Sequence, residues 1–345
     1  MEHLFDVRFR ASNLSELELT LGEVAGAVGD AEQSVTYADR SGDASQRMSK
    51  RTTHADALHQ AGRRAEAETR FREAEQMQEQ RQSDYPLLYS LSGFRYCDLL
   101  LAAPERAAWQ RTLRGAAVSE RPAAAGSPSQ DATNDPTRLS TFGPAAGGPA
   151  DTPALRESCR AVSQRAAQTL KIAEQHLGLL DNALNHLKLG RAALYEAILE
   201  NSDLRLLTSD LSHIDAAVAG LRRAGTQYML PHALLTRAWL RFLTGARPGP
   251  ESAQADLDEA WEIAERGPMR LFLAYIHLHR ARLVGGQRSE IGGQKSDASG
   301  SKYPWESPAA DLAAAGKLIE SCGYGRRKEE LEDAEKALLG SSPTA

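Results

Sequence analysis

The chain has 345 residues, enough for one large solenoid or two compact domains with a sizeable core and no need of disulfides or metals. Hydrophobic residues make up 41% and charged residues 25%, near the globular average, which argues against wholesale disorder and against a membrane bundle. The 41 basic and 46 acidic residues leave a net charge of -5, without the basic footprint that nucleic acid or anionic lipid requires, so neither is an expected partner.

Residues 1–11 read as an N-terminal edge segment in which Leu4, Phe5, Val7 and Phe9 are apolar but form no long secretory core. Cys97, Cys159 and Cys322 lie far apart with no CxxC pair, and together these features predict a reduced, cytoplasmic protein. No run approaches the ~18 apolar residues of a membrane helix. From residue 12 onward Ala, Leu, Arg and Glu dominate and strand-like alternation is nearly absent, so every periodic segment reads as helix. Helical repeats are expected over 12–103 and again over 156–323. Between them, 104–155 reads as a low-complexity disordered insertion, with the strongest Pro, Gly and Ser bias from Gly115 to Thr152. A mobile loop is expected at 285–304, and 324–345 reads as a capping helix and tail with Leu331, Ala334 and Leu338 on its apolar face.

One helical pattern recurs: a small residue, a large apolar one four positions on, and alanine three after that. It occurs as Ala31/Val35/Ala38, Ala67/Phe71/Ala74, Ala166/Leu170/Ala173, Ala217/Leu221/Ala224 and Ala253/Leu257/Ala260, with a degenerate copy at Pro308/Leu312/Ala315. These offsets keep the three side chains on one helix face, where alanine admits a close neighbour. Ala31 and Ala67, like Ala217 and Ala253, are 36 residues apart, close to the ~34-residue period of paired-helix repeats. Gly26, Gly62 and Gly245 are placed for the turns between helices.

Gly62, Ala67, Phe71 and Ala74 match the Gly, Ala, aromatic, Ala order of the tetratricopeptide repeat, and the chain resembles that family over roughly 12–103 and 156–323. Tyr89/Gly93/Tyr96 and Leu189/Gly190/Ala193 resemble its first-helix signature. Strings such as YPLLYSLSGFRYCDLLL also look like the repeat arms of large bacterial signalling ATPases and effectors. The resemblance implies an all-α, right-handed superhelical solenoid of antiparallel helix pairs, whose concave groove holds a peptide or partner helix. Carried over by register, the exposed groove positions are Asp56, His59, Gln60, Phe94, Asp98, Arg191, Tyr195, Trp239, Tyr275, His279 and Arg282. That mixture lacks the several Lys and Arg of a clamp for a C-terminal carboxylate.

GGQKS at 292–296 lacks the glycine directly before lysine and the preceding strand of a phosphate loop. HExxH, GxSxG, GxGxxG and paired CxxC are absent. His277 and His279 point in opposite directions on a helix, which predicts one half-buried and one exposed side chain. No metal or cofactor is expected. The leading reading is a non-enzymatic scaffold or adaptor that binds a protein or peptide and is able to self-associate through its N-terminal edge. The alternative is a small hydrolase or transferase using Asp98 and a histidine such as His186 as acid and base.

Overall fold

The computed structural model describes residues 2–119, 152–176, 178–285 and 302–340. The described residues form thirteen α-helices and no strand. Twelve of them pair along the chain: α1 (Glu2–Leu21) with α2 (Val24–Ser41), α3 (Ala44–Gln60) with α4 (Arg64–Arg81), and α5 (Ser90–Ser119) with α6 (Thr152–His176). The series continues with α7 (Leu179–Glu200) and α8 (Thr208–Ala224), α9 (Leu230–Leu243) and α10 (Ala253–Arg266), and α11 (Arg270–Gly285) and α12 (Pro308–Cys322). A 3-10 turn at Gly325–Arg327 leads into α13 (Lys328–Leu338).

The recurring small–large–small pattern lies on the second helix of every pair, and in each copy its first or last alanine is fully buried. Local signals set several starts. Asp43, Ser252 and Ser307 accept hydrogen bonds from the backbone N–H three residues on, which satisfies donors that the first helical turn leaves free. Gly62 and Gly245 have positive φ at the inter-helix turns, as the register implied. Gly26 instead lies inside α2, and Gly22, with φ +83°, makes that turn.

An open solenoid contacts only its neighbours in series. Here the first helices α1, α3, α5, α7, α9 and α11 touch one another in order, and α1 also touches α11. The row of first helices thus closes on itself. One apolar core joins Leu19, Val24, Ala27 and Ala31 of the first pair to Leu271, Leu278, Leu312 and Ile319 of the last. The C-terminal segment turns inward at this closure: α13 packs on α5 and α11 as well as α12, and the 3-10 turn meets α3.

Several expected boundaries shift. Helix α5 runs on through 104–119, and Glu105, Trp109 and Leu113 of that stretch are buried, because tertiary packing overrides Pro104 and the alanines of the stretch favour helix. Residues 152–155, the end of the expected insertion, already belong to α6, while 120–151 and 286–301, which hold other parts of the expected insertion and loop, lie outside the described residues, as do 177 and 341–345. Residues 302–305 are tethered, with Tyr303 donating to Glu262 at 2.6 Å and Trp305 Nε1 to Asp258 at 2.7 Å. The backbone of the N-terminal edge is already part of α1; its side chains through residue 11 lie outside the description. His277 and His279 are both buried, and His277 shares a 2.8 Å hydrogen bond with Asp311.

Candidate functional site

Most of the positions expected to line an exposed groove face one another in the interior. His59, Phe94, Asp98, Arg191, Tyr195, Trp239, Tyr275, His279 and Arg282 are all buried, while Asp56 and Gln60 are only partly accessible. The cause is the closure of the first helices and the entry of the C-terminal segment into the space they surround.

That segment brings Arg326, Arg327 and Glu330 to the carboxylates of α5. Asp98 accepts from Arg191 Nη1 at 2.7 Å and from Arg326 Nη2 at 3.0 Å. Glu105 accepts from Arg191 Nη2 at 3.1 Å, from Arg327 Nη1 at 3.0 Å and from the Tyr275 hydroxyl. Arg282 Nη2 in turn donates to the Glu330 carboxylate at 3.0 Å and to its carbonyl at 2.9 Å. Burial alone would raise both α5 acids, but the facing charges of Arg326 and Arg191 hold Asp98 well below the carboxylate range, and Arg327 and Arg191 do the same for Glu105. The aromatic side of this centre stacks Trp109 on Trp239 at 3.6 Å, with His279 edge-on to Trp109 at 4.9 Å and Arg327 3.7 Å above the Tyr275 ring. Sequence reasoning missed Glu105, Arg326, Arg327 and Glu330. The adjacent arginines after the Gly-Tyr-Gly turn were the available signal, and they read as surface charge on a cap.

Next to this centre a cavity of about 310 Å³ opens among α1, α3, α5, α9, α11 and the segment before α9. Asp56, Gln60, Phe94 and Asp98 line it, four of the eleven expected positions. Its other walls include Glu16, Leu17, Arg95, Tyr228, His232 and Phe272. Arg95 bridges two carboxylates, reaching Asp56 from Nε at 3.0 Å and Glu16 from Nη2 at 3.0 Å, while Gln60 donates to Asp56 at 2.8 Å. Burial raises the Asp56 carboxyl above its ordinary value although Arg95 opposes the shift. The His232 ring packs edge-on against Phe94 and Phe272, and burial pushes it down to about 3, so it is neutral near pH 7. At the mouth, Leu17 and Tyr228 are 53% and 50% exposed.

The Asp98–His186 pairing is not assembled. His186 shares its Nδ1 with His213 at 2.8 Å, and the ion-paired histidine nearest Asp98, His59, stands 3.8 Å away, beyond hydrogen-bond reach. No group of three or more His, Cys, Asp and Glu among the described residues is placed to hold a metal, and no described helix is long and apolar enough to cross a membrane. No protein-family model matches the chain, and no curated protein matches it.

Proposed function

We propose that this chain is a helical-repeat interaction module of the tetratricopeptide kind, a non-enzymatic adaptor that captures a protein or peptide segment at the mouth of its helical ring. The cavity with its apolar rim carries the reading: Leu17 and Tyr228 are large side chains left half exposed beside a recess whose walls are mostly apolar. Leu14 and Leu21 extend the same exposed stripe along α1, at the spacing of one helix face. A partner laid on that stripe would insert a side chain into the cavity. On this reading the chain works in the cytoplasm as the sensor arm of a larger bacterial signalling system, and the buried charge centre gives the recess a rigid floor.

A photo-crosslinking amino acid at position 228, with a control at Leu206, tests this in extract of the source cells. Leu206 is 81% exposed and lies outside the cavity lining. A discrete protein trapped from 228 and not from 206 is the expected result; identical or empty patterns from the two positions would sink the proposal.

A further inference from the structure

The cavity's lining is unevenly charged. Glu16, Asp56 and Asp98 contribute three carboxylates and Arg95 one cation. The arginines that neutralise Asp98, Arg191 and Arg326, do not line the cavity. Arg95 is itself divided between Asp56 and Glu16, so that one guanidinium serves two acids. His232 adds no charge and, as a neutral imidazole, offers one acceptor nitrogen. Phe94, Phe272 and Tyr228 add aromatic surface beside leucine and methionine side chains. A recess rich in acceptors and aromatic faces, with more negative than positive groups, suits a donor-only cation on an apolar stem.

We infer that the cavity receives the cationic end of an arginine or lysine side chain carried by an apolar segment of the protein partner. This rests on the docking reading above and adds the chemistry of the inserted residue. The stem of such a side chain packs against Leu17, Tyr228 and Phe272, and its head supplies a second cation beside Glu16 and Asp56, which otherwise share Arg95. A carboxylate in the same place would meet Glu16 and Asp56, with only the Arg95 that they already share to pair with. The volume of about 310 Å³ lies at the lower end of the range of ligand sites and leaves room for a single long side chain.

The experiment uses the full chain and three fluorescein-labelled alanine–leucine peptides, identical except for a central arginine, norleucine or glutamate, with binding read by fluorescence polarisation at ~0.15 M salt. The arginine peptide is expected to bind about tenfold or more tighter than the other two. Glu16→Gln and Asp56→Asn, checked for fold by circular dichroism and melting, are expected to remove that preference while leaving norleucine binding in place. If Asp56→Asn fails to fold, Glu16→Gln at the partly exposed rim carries the test alone. Equal binding of the arginine and norleucine peptides overturns the cationic subsite and leaves the docking surface standing. Tightest binding by the glutamate peptide overturns the inferred charge. Failure of all three peptides to bind counts against both the subsite and the docking surface.

Discussion

Gly62 and Gly325 meet back to back where the C-terminal turn seats on the turn between α3 and α4. A Cβ added at Gly62 would stand 2.8 Å from the carbonyl carbon of Gly325, and one added at Gly325 would collide with the carbonyl oxygen of Ala61. This close approach sets the depth at which Arg326 and Arg327, the next two residues, reach Asp98 and Glu105. A glycine pair in two turns far apart in sequence thus positions the charge centre at the middle of the molecule.

Gly325→Ala is therefore expected to lower stability by about 1–3 kcal/mol, because the obstacle is backbone, which cannot rotate aside as a side chain would. Urea unfolding checks it. An unchanged midpoint would mean that the C-terminal turn is free to lift off α3.

Arg191 holds Asp98 and Glu105 together from α7, and all three side chains are at most 5% exposed. Arg191→Met removes a guanidinium and leaves two buried carboxylates short of a partner, a loss expected to cost about 3–5 kcal/mol. Trp239→Ala, which empties the stack on Trp109, should cost a similar ~3–5 kcal/mol. Alanine at Tyr195, Trp239 or Tyr275 consequently reports on stability rather than on a partner contact. Equilibrium denaturation of the single variants, with losses under about 1 kcal/mol, would contradict this.

Helix content and pairing were legible in the sequence because they rest on local periodicity: Ala67, Phe71 and Ala74 need only a neighbouring helix, and each copy of their pattern sits on the second helix of a pair. Closure of the ring was not legible. It depends on contacts between α1 and α11 and on the seat of Gly325, which pair residues far apart in the chain and leave no local period. For the same reason Arg191, Tyr275 and Arg282 were placed on the correct first helices yet read as groove surface. Their register gives the inward face, and only the return of the C-terminal segment decides that this face is sealed. Asp98 was conspicuous in the apolar run around it, but its partners Arg191 and Arg326 are remote in sequence.

Histidines that desolvation keeps neutral in the folded chain, His59, His232 and His279, should make the fold sensitive to mild acid. Burial holds His59 and His279 well below the ordinary imidazole value, with the Arg326 charge adding to the effect on His59 and Arg282 to that on His279; burial likewise pushes His232 down to about 3. The unfolded chain takes up these protons below about pH 6.5 while the folded chain does not, so stability present above that pH falls as the pH drops. Between pH ~7.5 and ~5.5 three such groups remove about 4 kcal/mol. Asp98 and Glu105, held low in the folded state, add a separate loss only below about pH 4, where their unfolded counterparts protonate. Urea midpoints across this range should slope from the histidine window downward; a flat profile above pH ~5 would show that the imidazoles protonate in place.

Leu17 and Tyr228 separate binding from stability because each is already half in solvent. Truncating both to alanine removes little buried area, and the expected change in unfolding free energy is within about 0.5 kcal/mol per site. The same truncation strips the apolar rim from the cavity, and at a contact that anchors a partner each side chain is worth about 1–2 kcal/mol of binding, a five- to thirtyfold weakening. Leu206→Ala, at a more exposed leucine outside the cavity lining, should leave binding unchanged. Measuring the three variants against the partner trapped at position 228, with urea unfolding in parallel, gives both quantities on one protein. Loss of binding in the Leu17→Ala and Tyr228→Ala variants without loss of stability places the contact on the rim, whereas equal binding by all three would remove the rim from the interface.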